Sequence, residues 1–333
     1  MQKMANTQTG KAFEYACLIS LYNRYSSLNI KVQIIDTPQL NTAKKYFYNL
    51  STVKQTDYKK AGEAGTRLID LLEPKLQYSN PSSILKLTLQ TDKQGQKGDV
   101  RDVLCIRNDK QYWSIGLSCK HNHFALKHPR LSPSIDFGRD WLGHPCSQQY
   151  FTDVNKVFNP LLPYINSKTR WENADIDKID DVYKPLLVAF MNEFKRIYNQ
   201  HTTDVPKALV KYLIGENDFY KVIDLEKEKA TLVLPINFNK SLNIPYQSHK
   251  SLLKIGTPKL PSVVYHIGFK QDYDESTNSY RDSDNTIIIT CDEGWTFSMR
   301  IHNASSKIEK SLKFDVEAIS TPDSMRYFVE PWE

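Results

Sequence analysis

The sequence contains no apolar run of about 18 residues, the length that a membrane-spanning helix requires. Its first residues, MQKMANTQTGKAFEYA, lack the apolar core of a secretion signal. Internal repeats and low-complexity tracts are absent as well. These absences argue against membrane-embedded, secreted and repeat proteins, and they predict a soluble cytoplasmic protein.

Cysteine is scarce and irregularly placed. The five cysteines are an odd number, are widely scattered and include no C-x₂-C pair. This pattern favours reduced thiols over a disulfide framework. Zinc is an alternative, because six potential ligands lie in one stretch: Cys119, His121, His123, His128, His144 and Cys146. Their irregular spacing makes a structural zinc site the less favoured interpretation.

Acidic residues are absent between Asp109 and Asp136, while four basic residues lie inside this gap: Lys110, Lys120, Lys127 and Arg130. The whole chain has 44 basic and 38 acidic residues, a net charge of +6 that is too mild to identify a nucleic-acid-binding protein. The local excess is more informative than the total, because it follows directly behind a predicted strand.

The order of predicted elements indicates an α+β fold. Helical periodicity in GKAFEYACLISLYNRY and around residues 57–76 is followed by three strands, SILKLTLQ, DVLCIR and YWSIGLSCK. Helices then continue to KALVKYLIG, and the remainder is rich in strands. We predict a mixed sheet flanked by helices, followed by a C-terminal antiparallel β-rich extension. The predicted regions are residues 1–150, 151–215 and 216–333.

The strands DVLCIR and YWSIGLSCK are joined by a polar turn and should form an antiparallel hairpin. With a three-residue loop, Asp102 lies opposite Ser118. Ser118 and Lys120 follow Asp102 by 16 and 18 residues, and these even separations place all three side chains on one face. Cys119 should point the other way, into the core, and Asp99 should point away from Asp102.

An aspartate and a lysine that converge at the end of a hairpin are typical of sites that hydrolyse phosphodiesters. The Asp102 carboxylate would hold Mg²⁺, which needs few protein ligands, and the backbone carbonyl of Cys119 could complete the coordination. Lys120 would orient or deprotonate the attacking water and offset charge on the phosphorus. A plain ion pair is the alternative interpretation of Asp102 and Lys120.

Asp102 with Ser118-Cys119-Lys120 resembles the PD-(D/E)xK nuclease motif, and the order of one helix and three strands also matches. The sequence departs from this motif where Val100-Arg101 replaces the proline and where Ser118 replaces the second acid. Some restriction enzymes of this class also carry serine there, which implies that a nearby helix supplies the acid. The candidates are Asp136, Glu14 and Glu63, and spacing does not choose among them.

Three longer blocks, GDVRDVLC, GLSCKHNHFALKHPRLSPSIDFG and WTFSMRIHNASSKIEKSLKFDV, are similar to the HaeIII-type family of type II restriction endonucleases. This resemblance implies an enzyme that cuts both strands of double-stranded DNA within GGCC with Mg²⁺, leaving 5′-phosphate and 3′-hydroxyl ends. It also implies a cognate DNA methyltransferase in the host, and a palindromic target favours a homodimer. Residues 1–150 would be the catalytic core and 216–333 the DNA-recognition region.

Two polar segments are candidates for DNA contacts. The first follows the catalytic strand, and its cations suit phosphates while its histidines and asparagine could reach base edges: His121, Asn122, His123, Lys127, His128 and Arg130. In the second, Arg300 suits guanine O6 and N7, with His302 and Asn303 beside it. A solvated loop and an ordinary amphipathic hairpin are the structural alternatives. A non-catalytic or zinc-stabilised DNA-binding protein is the alternative function.

Overall fold

The computed structural model describes residues 6–78, 83–91, 99–108, 112–121, 126–247 and 249–333. The chain forms two compact units. The first consists of Met1–Phe124, Gly215–Pro258 and Asp323–Glu333, and the second of Ala125–Ile214 and Lys259–Pro322. Each unit is discontinuous in sequence, whereas the sequence pattern predicted three consecutive regions. The difference arises because strands from distant parts of the chain pair within one sheet.

A seven-stranded mixed sheet lies in the first unit. Its strands are β1 (Val32–Ile34), β2 (Leu85–Leu89), β3 (Val103–Asn108), β4 (Tyr112–His121), β6 (Phe219–Leu225), β7 (Ala230–Ile236) and β12 (Phe328–Pro331). They follow the order β1-β2-β3-β4-β6-β7-β12, with β1–β2 and β4–β6 parallel and the other pairs antiparallel. The predicted mixed sheet is therefore present, but β6, β7 and β12 join it instead of forming a C-terminal extension.

The hairpin of β3 and β4 has the register predicted from the sequence. Pairing runs from Val103 with Leu117 to Asn108 with Tyr112, and residues 109–111 between them lie outside the described ranges. Asp102, directly before β3, donates its backbone N–H to the Leu117 carbonyl at 2.7 Å. This bond holds Asp102 at the level of Ser118, as the three-residue loop requires.

Three helices pack on one face of the first sheet: α1 (Asn6–Ser27), α2 (Pro38–Tyr48) and α3 (Thr52–Leu72). Ser51 and Thr37 cap α3 and α2, since their hydroxyl oxygens accept the backbone N–H groups of the residues three positions later. The buried face of α1 shares a core with β4, where Cys17 packs with Leu117 and Cys119. Helix α1 thus covers one face of the hairpin, and the side chains of Ser118 and Lys120 lie on the opposite face.

Helices α1 and α3 approach closely because α3 has a glycine at the crossing. A Cβ atom on Gly62 would lie 2.8 Å from the Ala16 carbonyl oxygen and 2.6 Å from the Ser20 Oγ. Both distances are shorter than van der Waals contact allows, so no other side chain fits without moving α1. The position of α1 against β4 therefore depends on Gly62.

The second unit combines an antiparallel sheet with helices. Its strands are β5 (Arg130–Leu131), β8 (Val264–Asp274), β9 (Ser279–Cys291), β10 (Thr296–His302) and β11 (Leu312–Ser320), in the order β5-β11-β10-β9-β8. Its α-helices are α4 (Phe137–Leu142), α5 (Gln148–Phe158), α6 (Leu162–Asn166), α7 (Lys184–Gln200) and α8 (Val205–Ile214), and a π-helix, Lys178–Tyr183, precedes α7. The Phe190 ring lies 4.7 Å from that of Phe137 and 5.5 Å from that of Phe314, which joins helices and sheet in one core. In the described ranges, no helix is both long and apolar enough to cross a membrane.

Substituting alanine for Gly62 and for Gly10 should change stability in opposite directions. We expect Gly62→Ala to lower the free energy of unfolding by about 1–3 kcal/mol, because the added methyl group overpacks the α1–α3 crossing. Gly10 also lies in a helix, but a Cβ there meets nothing within 4 Å. Gly10→Ala should therefore raise stability by about 0.5–1 kcal/mol through helix propensity. Urea unfolding measures both, and equal effects would contradict the close approach.

Candidate active site

Three groups of β4 converge on the carboxylate of Asp102. Its Oδ2 accepts hydrogen bonds from the backbone N–H of Cys119 at 2.7 Å, from Lys120 Nζ at 3.1 Å and from Ser118 Oγ at 3.4 Å. The predicted convergence of Asp102, Ser118 and Lys120 on one face is therefore confirmed. Asp102 and Lys120 keep 21% and 31% of their side-chain surface exposed, so a ligand can reach both.

Arg101, the residue before Asp102, passes over β4 at Gly116 and binds Asp99. A Cβ on Gly116 would lie 2.2 Å from Arg101 Cδ, so the missing side chain makes room for Arg101 to cross β4. The Arg101 guanidinium binds the Asp99 carboxylate through Nε at 2.8 Å and Nη2 at 2.7 Å. Asp99 is therefore held by Arg101, and it is Asp102 that meets Lys120.

The charge of Lys120 is stabilised by its neighbours. Burial lowers its pKa, but the charge and hydrogen bond of Asp102 raise it, with further contributions from Cys119 and Glu14. The resulting pKa lies above the ordinary value for lysine, so the amine is protonated at neutral pH. Such a group is suited to binding a phosphate or orienting water, not to accepting a proton in the DNA-free protein.

Of the three candidates for the missing acid, Glu14 is the one whose charge acts on the cluster. It is half-buried on α1, and its carboxylate raises the pKa of both Lys120 and Cys119. Glu63 is exposed on α3. Asp136, in the second unit, caps α4 by accepting the backbone N–H groups of Arg139 and Cys146.

Lys221 on β6 is a residue of this cluster that the sequence analysis missed. The parallel pairing of β4 and β6 sets it opposite Ser118, so its side chain shares the face of Ser118 and Lys120. Only 5% of Lys221 is exposed. Burial and the neighbouring Lys120 charge together lower its pKa to about 7, although the Asp102 charge acts in the opposite direction. The position of Lys221 within the apolar run FYKVIDL could have indicated a functional lysine, but this run was not predicted to be a strand.

His121 does not lie on the face of Lys120. Because adjacent residues of a strand alternate, it points to the opposite side, where its Nδ1 lies 2.8 Å from Oδ2 of the fully buried Asp224. Its Nε2 lies 3.5 Å from Glu226, and its ring packs edge-on against Tyr58. Asp224 and Glu226 therefore hold the His121 side chain, and the base contact expected for His121 stays a prediction.

The candidate zinc ligands that lie within the described ranges have other partners. Cys119 is 3% exposed in the core of the first unit, which confirms its predicted inward orientation. In the second unit, the His144 ring stacks on His201 at 3.5 Å, and Cys146 Sγ accepts the Gly138 N–H. Within the described ranges, no group of three or more His, Cys, Asp or Glu side chains could hold a metal ion. His123 lies outside those ranges, as does Asn122.

The remaining DNA-contact candidates lie in the second unit. Arg300, His302 and His128 gather around Asp315. Lys127 Nζ lies 3.8 Å from the centre of the Tyr212 ring, and Arg130 binds Ser311 Oγ at 2.9 Å.

Asn303 serves its own loop instead of projecting outward. Its Oδ1 accepts the Tyr183 hydroxyl at 3.0 Å, and its amide nitrogen donates to the Ser305 carbonyl. Both ends of the Asn303 amide are therefore engaged within the second unit.

Comparisons with a family model and with known proteins each found a match. The family model for the HaeIII restriction endonuclease matches residues 10–322. The chain is 37% identical over 328 residues to the type II restriction enzyme HaeIII of Haemophilus aegyptius, which covers 98% of each protein. No solved structure matches the chain.

The class defined by these matches is that of the type II restriction endonucleases. The chain belongs to the HaeIII restriction endonuclease family. The resemblance inferred from three sequence blocks is thereby confirmed.

Replacing Lys221 should change how stability depends on pH. The pKa of Lys221 is about 7 in the folded chain and 10.5 ordinarily, so the unfolded chain binds the extra proton between these values. The unfolding free energy of the wild type should therefore rise with pH from about 7 to 10.5 relative to Lys221→Met, by at most about 1.4 kcal/mol per pH unit.

Urea unfolding at several pH values between neutral and alkaline tests this expectation. Lys59→Met, which removes an exposed lysine of α3, is the matched control. Parallel curves for the wild type and Lys221→Met would mean that Lys221 keeps its proton in the folded chain.

Proposed function

We propose that the protein is a Mg²⁺-dependent endonuclease of the PD-(D/E)xK class that cleaves both strands of double-stranded DNA at a short specific site. The observation that carries this proposal is the meeting of Asp102 and Lys120 at the end of the β3–β4 hairpin. The name of the relative from Haemophilus aegyptius, a type II restriction enzyme, supports the same activity. The expected products have 5′-phosphate and 3′-hydroxyl ends.

The donor set suits Mg²⁺. This ion prefers oxygen ligands and is commonly held by one or two carboxylates together with waters and phosphate oxygens. Asp102 would supply one carboxylate, which Ser118, Cys119 and Lys120 hold through hydrogen bonds to Oδ2. Glu14 would supply the second carboxylate, and the backbone carbonyl of Cys119 is a further candidate ligand. The bound ion would neutralise phosphate charge and favour ionisation of a water molecule.

Lys120 acts on the phosphate in this proposal. Its ammonium group is protonated and 31% exposed, so it can donate hydrogen bonds to a phosphate oxygen and to the attacking water. This stabilises the negative charge that accumulates on phosphorus as the water attacks. Ser118 stands in the place of the usual second acid and donates to Asp102, which keeps that carboxylate oriented.

The recognised sequence and the partners follow from the family resemblance. We propose GGCC as the recognition site and a cognate DNA methyltransferase as protection for the host DNA. A palindromic site is cut in both strands most simply by a two-fold symmetric pair of subunits, which makes a homodimer the proposed active form.

Lys120→Ala should retain DNA binding and lose cleavage. We expect at least a 100-fold lower rate, because removing one donor to the reacting group costs about that much in comparable sites. Binding is measured by gel shift without divalent metal, and cleavage by digestion of a GGCC-containing duplex with Mg²⁺ and analysis of the fragment ends. Lys44→Ala, at an exposed lysine of α2, is the control. Undiminished cutting by Lys120→Ala would refute the assignment.

Amide variants of the three acids should identify the second carboxylate. Glu14→Gln is expected to lose cleavage by at least about tenfold and to need more Mg²⁺, because a neutral amide is a weaker ligand. Glu63→Gln should cut normally. Asp136→Asn should keep the α4 cap, because an asparagine oxygen accepts the same N–H groups, and it should have little effect on Mg²⁺ dependence. A normal Mg²⁺ titration for Glu14→Gln would exclude it as a ligand.

A further inference from the structure

Asp315 lies at the centre of a group of basic side chains in the second unit. Its Oδ2 accepts a hydrogen bond from Arg300 Nη2 at 2.9 Å and lies 3.1 Å from His302 Nε2. Its Oδ1 lies 3.2 Å from His128 Nδ1 and 3.7 Å from Lys313 Nζ. One carboxylate therefore touches four basic side chains, three of which the sequence analysis had selected as DNA contacts.

These side chains share the polar face of the second sheet. Arg300 pairs with Asp315, and His302 pairs with Lys313, which in turn pairs with Arg130. The residues between them face the core and are buried: Met299, Ile301, Phe314 and Val316. Alternation along β10 and β11 thus separates a buried apolar face from a face that carries a row of basic side chains. Antiparallel strands of this kind can contact base edges in the major groove of DNA.

The charges in this group do not balance. Burial raises the pKa of Asp315, but Arg300, His302, Lys313 and His128 lower it below the usual value, so the carboxylate is ionised. Its single negative charge is opposed by the permanent charges of Arg300 and Lys313. The surplus is positive, which suits the negative potential of DNA.

Arg300 can bind a further partner while it contacts Asp315. A guanidinium has five N–H groups, and the bond to Asp315 uses one of them. The side chain remains 58% exposed. Two N–H groups in a fixed plane match the O6 and N7 acceptors of guanine, and recognition improves when the arginine is already held in place.

We propose that Asp315 is a specificity-determining positioning residue, which holds Arg300 so that it binds O6 and N7 of a guanine in the major groove. This inference rests on the proposed function for its ligand, double-stranded DNA. Asp315 acts through Arg300 and not on the scissile phosphate.

Removing the Asp315 charge should change the affinity for GGCC relative to other DNA, whereas loss of a purely structural ion pair should leave this ratio unchanged. Asp315→Asn leaves the cations in excess, so it should strengthen binding to DNA of any sequence. It also weakens the bond that holds Arg300, because a neutral amide oxygen is a poorer acceptor than a carboxylate. Binding to GGCC relative to other DNA should then fall by up to about tenfold, the discrimination expected from one arginine–guanine pair. Glu317→Gln removes an exposed charge from the same strand and face, two residues away, and should strengthen binding without loss of discrimination.

The binding assay compares a duplex that contains GGCC with one in which this site is scrambled, without divalent metal and at one salt concentration. The expected result is a loss of the affinity ratio in Asp315→Asn and an unchanged ratio in Glu317→Gln. An unchanged ratio in Asp315→Asn, or equal losses in both variants, would overturn the proposal.

A base analogue tests the contact itself without relying on the variant alone. Replacing single guanines by 7-deazaguanine removes the N7 acceptor, and one such position should weaken wild-type binding by about tenfold. Asp315→Asn and Arg300→Ala should lose little more at that position, because the contact is already gone. Equal sensitivity of the wild type and Asp315→Asn at every guanine would contradict a role in base recognition.

Asp315→Ser provides a second variant if the asparagine form does not fold, and thermal unfolding checks both. Because the assays measure binding, they are independent of cleavage. A wild type that discriminates through Arg300 but does not cut with Mg²⁺ would refute the proposed function and leave this inference intact. A wild type that cuts DNA but is insensitive to 7-deazaguanine would refute this inference and leave the proposed function intact.

Discussion

The contact between Asp102 and Lys120 depends on one constraint, the register of the β3–β4 hairpin. A shift of one residue would turn Lys120 to the face that α1 covers and leave Asp102 beside Cys119. Several independent features fix the register: the backbone bond from Asp102 to Leu117, the room that Gly116 gives to Arg101, and the packing of α1 on Cys119. The chemistry proposed for the first unit is therefore set by backbone pairing before any ligand is present.

The hairpin could be predicted from the sequence because its two strands are adjacent in the chain. The architecture around it joins segments that lie far apart in sequence. Parity along two adjacent strands correctly brought Asp102, Ser118 and Lys120 together, and the same rule applied to His121 would have directed it to the opposite face. Strand β6 escaped prediction because Lys221 and Asp224 interrupt its apolar run, although both are buried in the folded unit. The discontinuous units could not be inferred, since the pairing of strands far apart in sequence leaves no periodic signal.

Electrostatic partners, like strands that pair over a long distance, could not be predicted from the sequence. Sequence patterns selected Arg300, His302 and His128 as DNA contacts without indicating that Asp315 lies between them. Among the three candidate acids, spacing could not separate Glu14 from the others, and only the fold brings its charge to act on Lys120. Composition thus identified the kinds of groups present, while their pairing depends on which strands and helices become neighbours.

The pairing of β12 with β7 has a consequence for how the molecule is made. Strand β7 ends at Ile236, and the whole sheet of β8–β11 is synthesised before β12 is available. While the chain emerges from the ribosome, one edge of β7 therefore lacks its final neighbour, and Arg67 lacks its partner Glu330. A nascent chain can build the hairpin of Asp102 and Lys120 early, but the sheet that supports this hairpin is complete only after β12 has been synthesised.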